Sequence, residues 1–190
     1  MRNSGINFIP DEELYIKAAV KHMFFHLKDE YISNWETQVN NAPKCSILYK
    51  HIKVAFECEY YLSNLPYNLR IAMSRIRTCN HRLPIEVGRY ASSYKSRQDR
   101  ICTKCNSRLP GNEFHFILEC NNPILLELRG KYISPYYTSQ PSMEKLAELF
   151  NNWGKKLFKL ARYVNEGFAP KRFTKPLLGY KLFYHYIIFL

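Results

Sequence analysis

The feature that most constrains this chain is the spacing of four potential metal ligands, Cys102, Cys105, His115 and Cys120, in a Cys-x2-Cys-x9-His-x4-Cys pattern. Two cysteines separated by two residues can set both thiolates on one ion from a tight turn. A histidine and a cysteine five apart, on a helix or at its end, can supply the other two corners of a tetrahedron. Leu109-Pro110-Gly111-Asn112 falls inside the nine-residue spacer, where the chain has to reverse. Four protein ligands close the shell and leave no corner for an activated water, so the expected ion is zinc in a structural role. Two other readings exist: a redox pair at Cys102 and Cys105, which lacks a surrounding βαβ pattern, and a chance spacing of core cysteines. Cys79 and His81 form a Cys-x-His pair nearby and could substitute as ligands; the plainer reading makes Cys79 a core thiol and His81 a hydrogen-bonding residue at a helix end. Cys45 and Cys58 read as core residues.

Charge divides the 190 residues unevenly. The formal net charge is +12 and the pI about 9.4, an excess that favours polyanions, nucleic acid before anionic membrane. Residues 1–43 carry a net of −2, residues 70–110 a net of +8, with only Glu86 and Asp99 opposing ten basic side chains, and residues 154–190 a net of +7. The polyanion reading therefore belongs to the middle and the tail. No apolar signal-peptide core follows Met1, so the six cysteines are expected reduced or on metal in an intracellular, nuclear or cytoplasmic setting. The apolar run Leu177 to Leu190 is 14 residues long, contains Lys181 and His185, and is too short and too polar to span a membrane.

Hydrophobic residues make up 46% of the chain, enough for a sizeable core, and only 7 are Gly, which argues against a Gly-turned β protein. Residues 11–39 read as an amphipathic core helix, with Asp11, Glu12 and Glu13 at its start and Leu14, Ala18, Phe24 or Phe25, Leu27, Tyr31 and Trp35 at helical spacing. Residues 46–65 fit helix or strand equally. A helix over 66–80 presents Leu69, Ala72, Met73 and Ile76 on one face, followed by an extended or turned stretch from Leu83 to Tyr90 and a basic surface loop over 91–101. Short helices are expected over Glu113–Cys120 and from Pro123 to Tyr132, then a turn region over 134–141. A last helix is expected from Ser142 to about residue 164, with Leu146, Leu149, Phe150, Trp153, Leu157 and Leu160 inward. The fold class is mostly α: a helical domain with an inserted CCHC zinc knuckle. The expected organisation is an N-terminal helical region (1–65), a basic zinc-binding module (66–133), a C-terminal helix (134–169) and an apolar tail (170–190).

Taken together, Arg75-Ile76-Arg77, Asn80-His81-Arg82-Leu83-Pro84-Ile85-Glu86-Val87-Gly88-Arg89-Tyr90, Arg100-Ile101-Cys102-Thr103-Lys104-Cys105 and Glu113-Phe114-His115-Phe116-Ile117-Leu118-Glu119-Cys120 resemble the C-terminal zinc-binding segment of polyproteins from LINE-like (non-LTR) retrotransposons. The resemblance covers about residues 70–133, and extends more weakly from about 12 to 165. It implies that Cys102, Cys105, His115 and Cys120 hold zinc, and that the module lies downstream of a reverse transcriptase domain and helps to hold RNA or DNA. The apolar end from about residue 170 does not follow that family pattern. No polymerase chemistry is expected, because the only aspartates, Asp11, Asp29 and Asp99, are scattered, whereas two-metal polymerisation needs clustered carboxylates.

Arg75, Arg77, Arg82, Arg89, Arg97, Arg100, Lys104 and Arg108 gather in sequence around the proposed ligands. A guanidinium can donate two hydrogen bonds to one phosphate, and the interleaved Tyr90 and Tyr94 could stack on unpaired bases. The competing reading is a solvated basic face, with Arg89 or Arg77 paired internally to Glu86. The expectation is a non-catalytic zinc module that binds RNA or DNA through phosphates. The alternatives are a zinc-stapled protein-interaction domain and a decayed element fragment without function.

Overall fold

A computed structural model of the chain describes residues 12–41, 46–53, 55–90 and 94–169. Cys45 and the apolar run of residues 170–190 lie outside the described residues. The architecture is mostly helical, as the sequence predicts. The helices run in the order α1 (Glu12–Asn41), α2 (Ser46–Ile52), α3 (Tyr60–Asn64), α4 (Tyr67–Arg77), α5 (Pro84–Val87), α6 (Pro123–Tyr132), α7 (Pro135–Thr138), α8 (Met143–Asn151) and α9 (Gly154–Phe168). A π-helical turn, His115–Glu119, precedes α6. The described residues contain no strand, and the only sheet-like pairing among them is one antiparallel bridge between Ile101 and Pro110.

The core forms where apolar spacing matches the helical period. Leu69, Ala72, Met73 and Ile76 of α4 are buried as their spacing requires, and pack with Leu157, Leu160, Ala161 and Val164 of α9 in one hydrophobic cluster. Leu48 and Ile52 of α2, Phe116 to Leu118 of the π turn, Leu125 of α6, and Leu146, Leu149 and Phe150 of α8 belong to the same cluster. One core therefore draws on three of the four expected segments, 1–65, 66–133 and 134–169.

Local chemistry fixes the boundaries. Pro66 caps α4, Pro84 and Pro123 occupy first-turn positions, and the Asn122, Ser134 and Ser142 side chains accept backbone N–H groups at the starts of α6, α7 and α8. α4 ends with Asn80 N–H bonded to the Arg75 carbonyl while Cys79 takes a left-handed φ of 56°. This is the Schellman closure usually given to glycine, adopted here by a side chain at a cost of about 1–2 kcal/mol.

Several expectations are sharpened or corrected. The stretch from Leu83, expected extended or turned, is turned, because Pro84 starts a one-turn helix. Pro135 does the same in the expected turn region. The undecided residues 46–65 are helical at both ends. The long helix after Ser142 is broken at Asn152–Trp153, where Gly154 takes φ +58°; this turns the Trp153 ring out to solvent instead of onto the apolar side. Cys58 is exposed, not a core residue. The largest departure is α1. It is helical over the predicted residues, but Leu14, Ile16, Val20, Met23, Phe24, Phe25 and Leu27 are all exposed. Among the described residues, its C-terminal part is tied down through Tyr31 and Trp35 against Phe56, with ring centroids 5.2 and 5.5 Å away, and through the Lys50 ammonium on the Asn40 carbonyl.

Candidate metal centre

The chain around residues 100–111 folds back on itself as a narrow hairpin. Cys102 N–H donates to the Leu109 carbonyl at 2.8 Å and Gly111 N–H to the Arg100 carbonyl at 2.9 Å. This closure leaves Cys102 and Cys105 on the tip, with Arg108 in a left-handed conformation (φ 58°) on the return. Gly111 is required by close approach: a Cβ there would meet the Pro84 ring at 2.7 Å. The second ligand pair comes from the π-helical turn. Its wider coil carries His115 at the start and releases Cys120 just after its end, with Cys120 N–H bonded to the His115 carbonyl at 2.7 Å. Asn112 Oδ1 accepts the His115 N–H, and Arg129 from α6 donates to the carbonyls of Ile117 and Cys120.

These constraints bring together the four residues that the sequence singles out. One ligand atom from each of Cys102, Cys105, His115 and Cys120 lies within 4.8 Å of all the others. The Cys102 and Cys120 sulfurs are 3.9 Å apart, and Cys105 Sγ lies 3.2 Å from His115 Nε2. A four-coordinate ion with bonds of about 2.0 Å to nitrogen and about 2.3 Å to sulfur sets ligand–ligand edges of roughly 3.3–3.8 Å. The observed spacings, 3.9 and 3.2 Å, lie just beyond the two ends of that range, close enough for small side-chain shifts to seat an ion. His115 is buried, and its Nδ1 has no well-formed hydrogen bond. The Glu119 carboxylate stands 3.5 Å away, where it can face the N–H that Nδ1 must carry when Nε2 is a ligand.

The electrostatics also favour a cation. Burial pushes the Cys105 thiol up, but hydrogen bonds from Ser107, then His115 and Cys102, outweigh burial and bring it down to about 6. Burial pushes the Cys120 thiol up to about 12, with the Cys102 charge adding to the rise. Deprotonating Cys120 at neutral pH requires a positive charge beside it, which a metal ion would supply. The Cys102 sulfur also accepts the Lys104 N–H at 3.4 Å. The four residues can thus hold one metal ion.

Cys79, His81 and Glu113 are a second group of potential ligands that lie together, and they behave differently. His81 Nε2 is 2.7 Å from Glu113 Oε1, shorter than an edge across a tetrahedral ion, and His81 Nδ1 accepts the Leu83 N–H. That pattern puts the proton on Nε2, in a direct bond to the carboxylate. His81 stacks on Phe168, which stacks on Phe116. Burial pushes the Glu113 carboxyl up, but the contributions that oppose it, led by the hydrogen bond from His81, leave the net shift downward. This trio is a hydrogen-bonded brace, as the plainer sequence reading of His81 holds.

The nine expected nucleic-acid contacts separate into two groups. Arg75, Arg82, Arg97, Arg108 and Tyr94 are exposed. Arg77 is only 2% exposed: it bonds Glu59 at 2.7 Å and the Phe150 carbonyl, and lies against the Tyr61 and Phe150 rings. Arg100 is also buried and donates to the carbonyls of Ile85 and Lys95. Neither is placed to reach a phosphate, which corrects that part of the expectation. Arg89 is half-buried with its guanidinium 2.6 Å from Glu86, while Arg77 pairs with Glu59 and not Glu86. Lys104 turns its ammonium inward, onto the Gly167 carbonyl and the Phe116 ring. Burial lowers the pKa of that ammonium despite the nearby Cys120 and Cys102.

Ser107, Glu119, Asn112 and Arg129 support the centre without having been singled out in the sequence. Of these, only Glu119 carries a readable signal, since it stands one helical turn after His115. Comparison of the chain with protein-family models, with curated proteins and with solved structures finds no match. Among the described residues, no helix is long and apolar enough to cross a membrane.

Proposed function

We propose that the protein is a non-catalytic zinc module that binds RNA or DNA, of the kind found downstream of the reverse transcriptase in LINE-like retrotransposons. The observation that carries this reading is the Cys3His cluster, whose donors suit zinc, in a chain that also exposes the cations Arg75, Arg82, Arg97 and Arg108. The closed donor set leaves the ion a structural role, and the exposed arginines supply phosphate contacts. Binding is tested by fluorescence polarisation with a labelled oligonucleotide over a salt series. Affinity is expected to fall steeply with salt, and the Arg75→Ala, Arg82→Ala, Arg97→Ala triple variant is expected to flatten the slope by about 0.7–0.9 for each phosphate it no longer neutralises. Affinity independent of salt, or unchanged in the triple variant, contradicts the reading. Arg77 is kept out of that variant because its loss would unsettle the core.

A second reading has its own observation. The apolar side chains along the exposed part of α1 fit a zinc-stapled module that docks onto a protein, such as a reverse transcriptase domain. In that case the Phe24→Ala, Leu27→Ala pair abolishes partner binding while nucleic-acid affinity stays unchanged.

A further inference from the structure

We infer that Tyr90 and Tyr94 form a stacking platform for the bases of an unpaired strand, so that the protein selects single-stranded over duplex nucleic acid; this rests on the nucleic-acid reading above and names its ligand. Both rings are held out in water, Tyr90 at 75% and Tyr94 at 76% exposure, in the most basic part of the chain. Neither ring is simply loose on the surface. The Arg100 guanidinium lies 5.5 Å from the Tyr94 centroid and the Arg89 guanidinium 5.9 Å from that of Tyr90, which leaves each ring a face open to solvent.

The backing groups are themselves fixed. Arg100 is buried and held by the carbonyls of Ile85 and Lys95, and Arg89 is held by Glu86. Gly88 makes room for this arrangement: a Cβ there would meet Arg100 Cγ at 2.7 Å. Lys95 N–H bonds the Gly88 carbonyl, so the two ends of the segment that carries both tyrosines are tied together. A ring with a fixed cation behind it and an open face in front is suited to stack on a base. Bases in a duplex are stacked on one another and present only their edges, whereas an unpaired strand can turn its bases onto such rings. Arg97, exposed two residues after Lys95, supplies a phosphate contact without reading sequence.

The test uses the full zinc-loaded chain and labelled RNA and DNA single strands of about 12 nucleotides, a length within the usual site size, beside the matching duplexes. Polarisation is expected to show tighter binding to single strands than to either duplex. Tyr94→Ala is expected to weaken single-strand binding roughly 5- to 100-fold, with Tyr94→Phe close to the parent and duplex affinity little changed. Tyr90→Ala provides an independent variant with the same expectation. A difference between the RNA and DNA single strands identifies which one the platform serves. Equal affinity for single strands and duplexes, with both Ala variants unchanged, overturns the platform while leaving nucleic-acid binding intact. No binding to any of the four probes overturns the nucleic-acid reading, and the platform with it.

Discussion

α1 and α9 are both read from the sequence as helices with an apolar side, and they end in opposite environments. α9 places Leu157, Leu160, Ala161 and Val164 at helical spacing on a single face, and all four are buried, as is Tyr163 beside them. α1 is twice as long, with 30 residues against 15, about 45 Å of helix. Its apolar residues are spread around the axis: Leu14, Tyr15 and Ile16 are consecutive, as are Met23, Phe24 and Phe25. No one surface of the fold can cover such a distribution, and Phe24 remains 65% exposed. Apolar content makes a helix eligible for a core. A coherent face, and a neighbour to receive it, decide whether it gets there.

The contrast can be broken or sharpened by substitution. The largest effect is expected from removing the metal, because zinc binding in small modules is itself folding free energy of roughly 10–16 kcal/mol. A strong chelator should abolish the cooperative melt of the part built around α9, and acid should release the ion earlier than it unfolds the rest, since protons compete for thiolates and imidazole. Calorimetry at a series of pH values, with zinc quantified in parallel, reads both.

Next, Arg77→Ala should cost about 3–5 kcal/mol, because it leaves Glu59 with Lys53 alone and removes a buried guanidinium that braces α4 against the Phe150 carbonyl of α8. Arg75→Ala, only two residues away and exposed, should fall within about 0.5 kcal/mol in urea unfolding. Leu160→Ala should cost about 2–5 kcal/mol, whereas Phe24→Ala should again stay within about 0.5 kcal/mol. A large loss at Phe24 would show that α1 is packed in solution and would remove the contrast. Smaller than the Leu160 effect, Tyr163→Phe should cost about 1–3 kcal/mol by leaving the buried Phe116 carbonyl without the 2.6 Å bond that the phenol now gives it.

The candidate site was far more legible in sequence than the surface around it. Ligand spacing is a local property: Cys102 and Cys105 share a turn, and His115 and Cys120 share a coil, so four residues within nineteen positions announce the cluster. α6 was equally plain, because Pro123 marks its start, and the structure adds the Asn122 cap before it. Arginine roles were not plain. Arg75 and Arg77 look alike in a basic run, but Arg77 lies one residue after Ile76 on the side that meets α8, and only the distant partner Glu59 reveals its role. The break at Trp153 was hidden for a similar reason. Leu149, Phe150, Trp153, Leu157 and Leu160 keep a helical rhythm through a residue pair whose backbone turns away.

The most direct test of the metal centre is native mass spectrometry of the full chain, with and without chelator, beside Cys102→Ser. The account predicts one zinc per chain, lost to chelator and absent from the variant, with the fold failing in both. It predicts no second ion at Cys79, His81 and Glu113, whose 2.7 Å contact is already a hydrogen bond. A chain that stays folded without metal, or that keeps its zinc in Cys102→Ser, would contradict it.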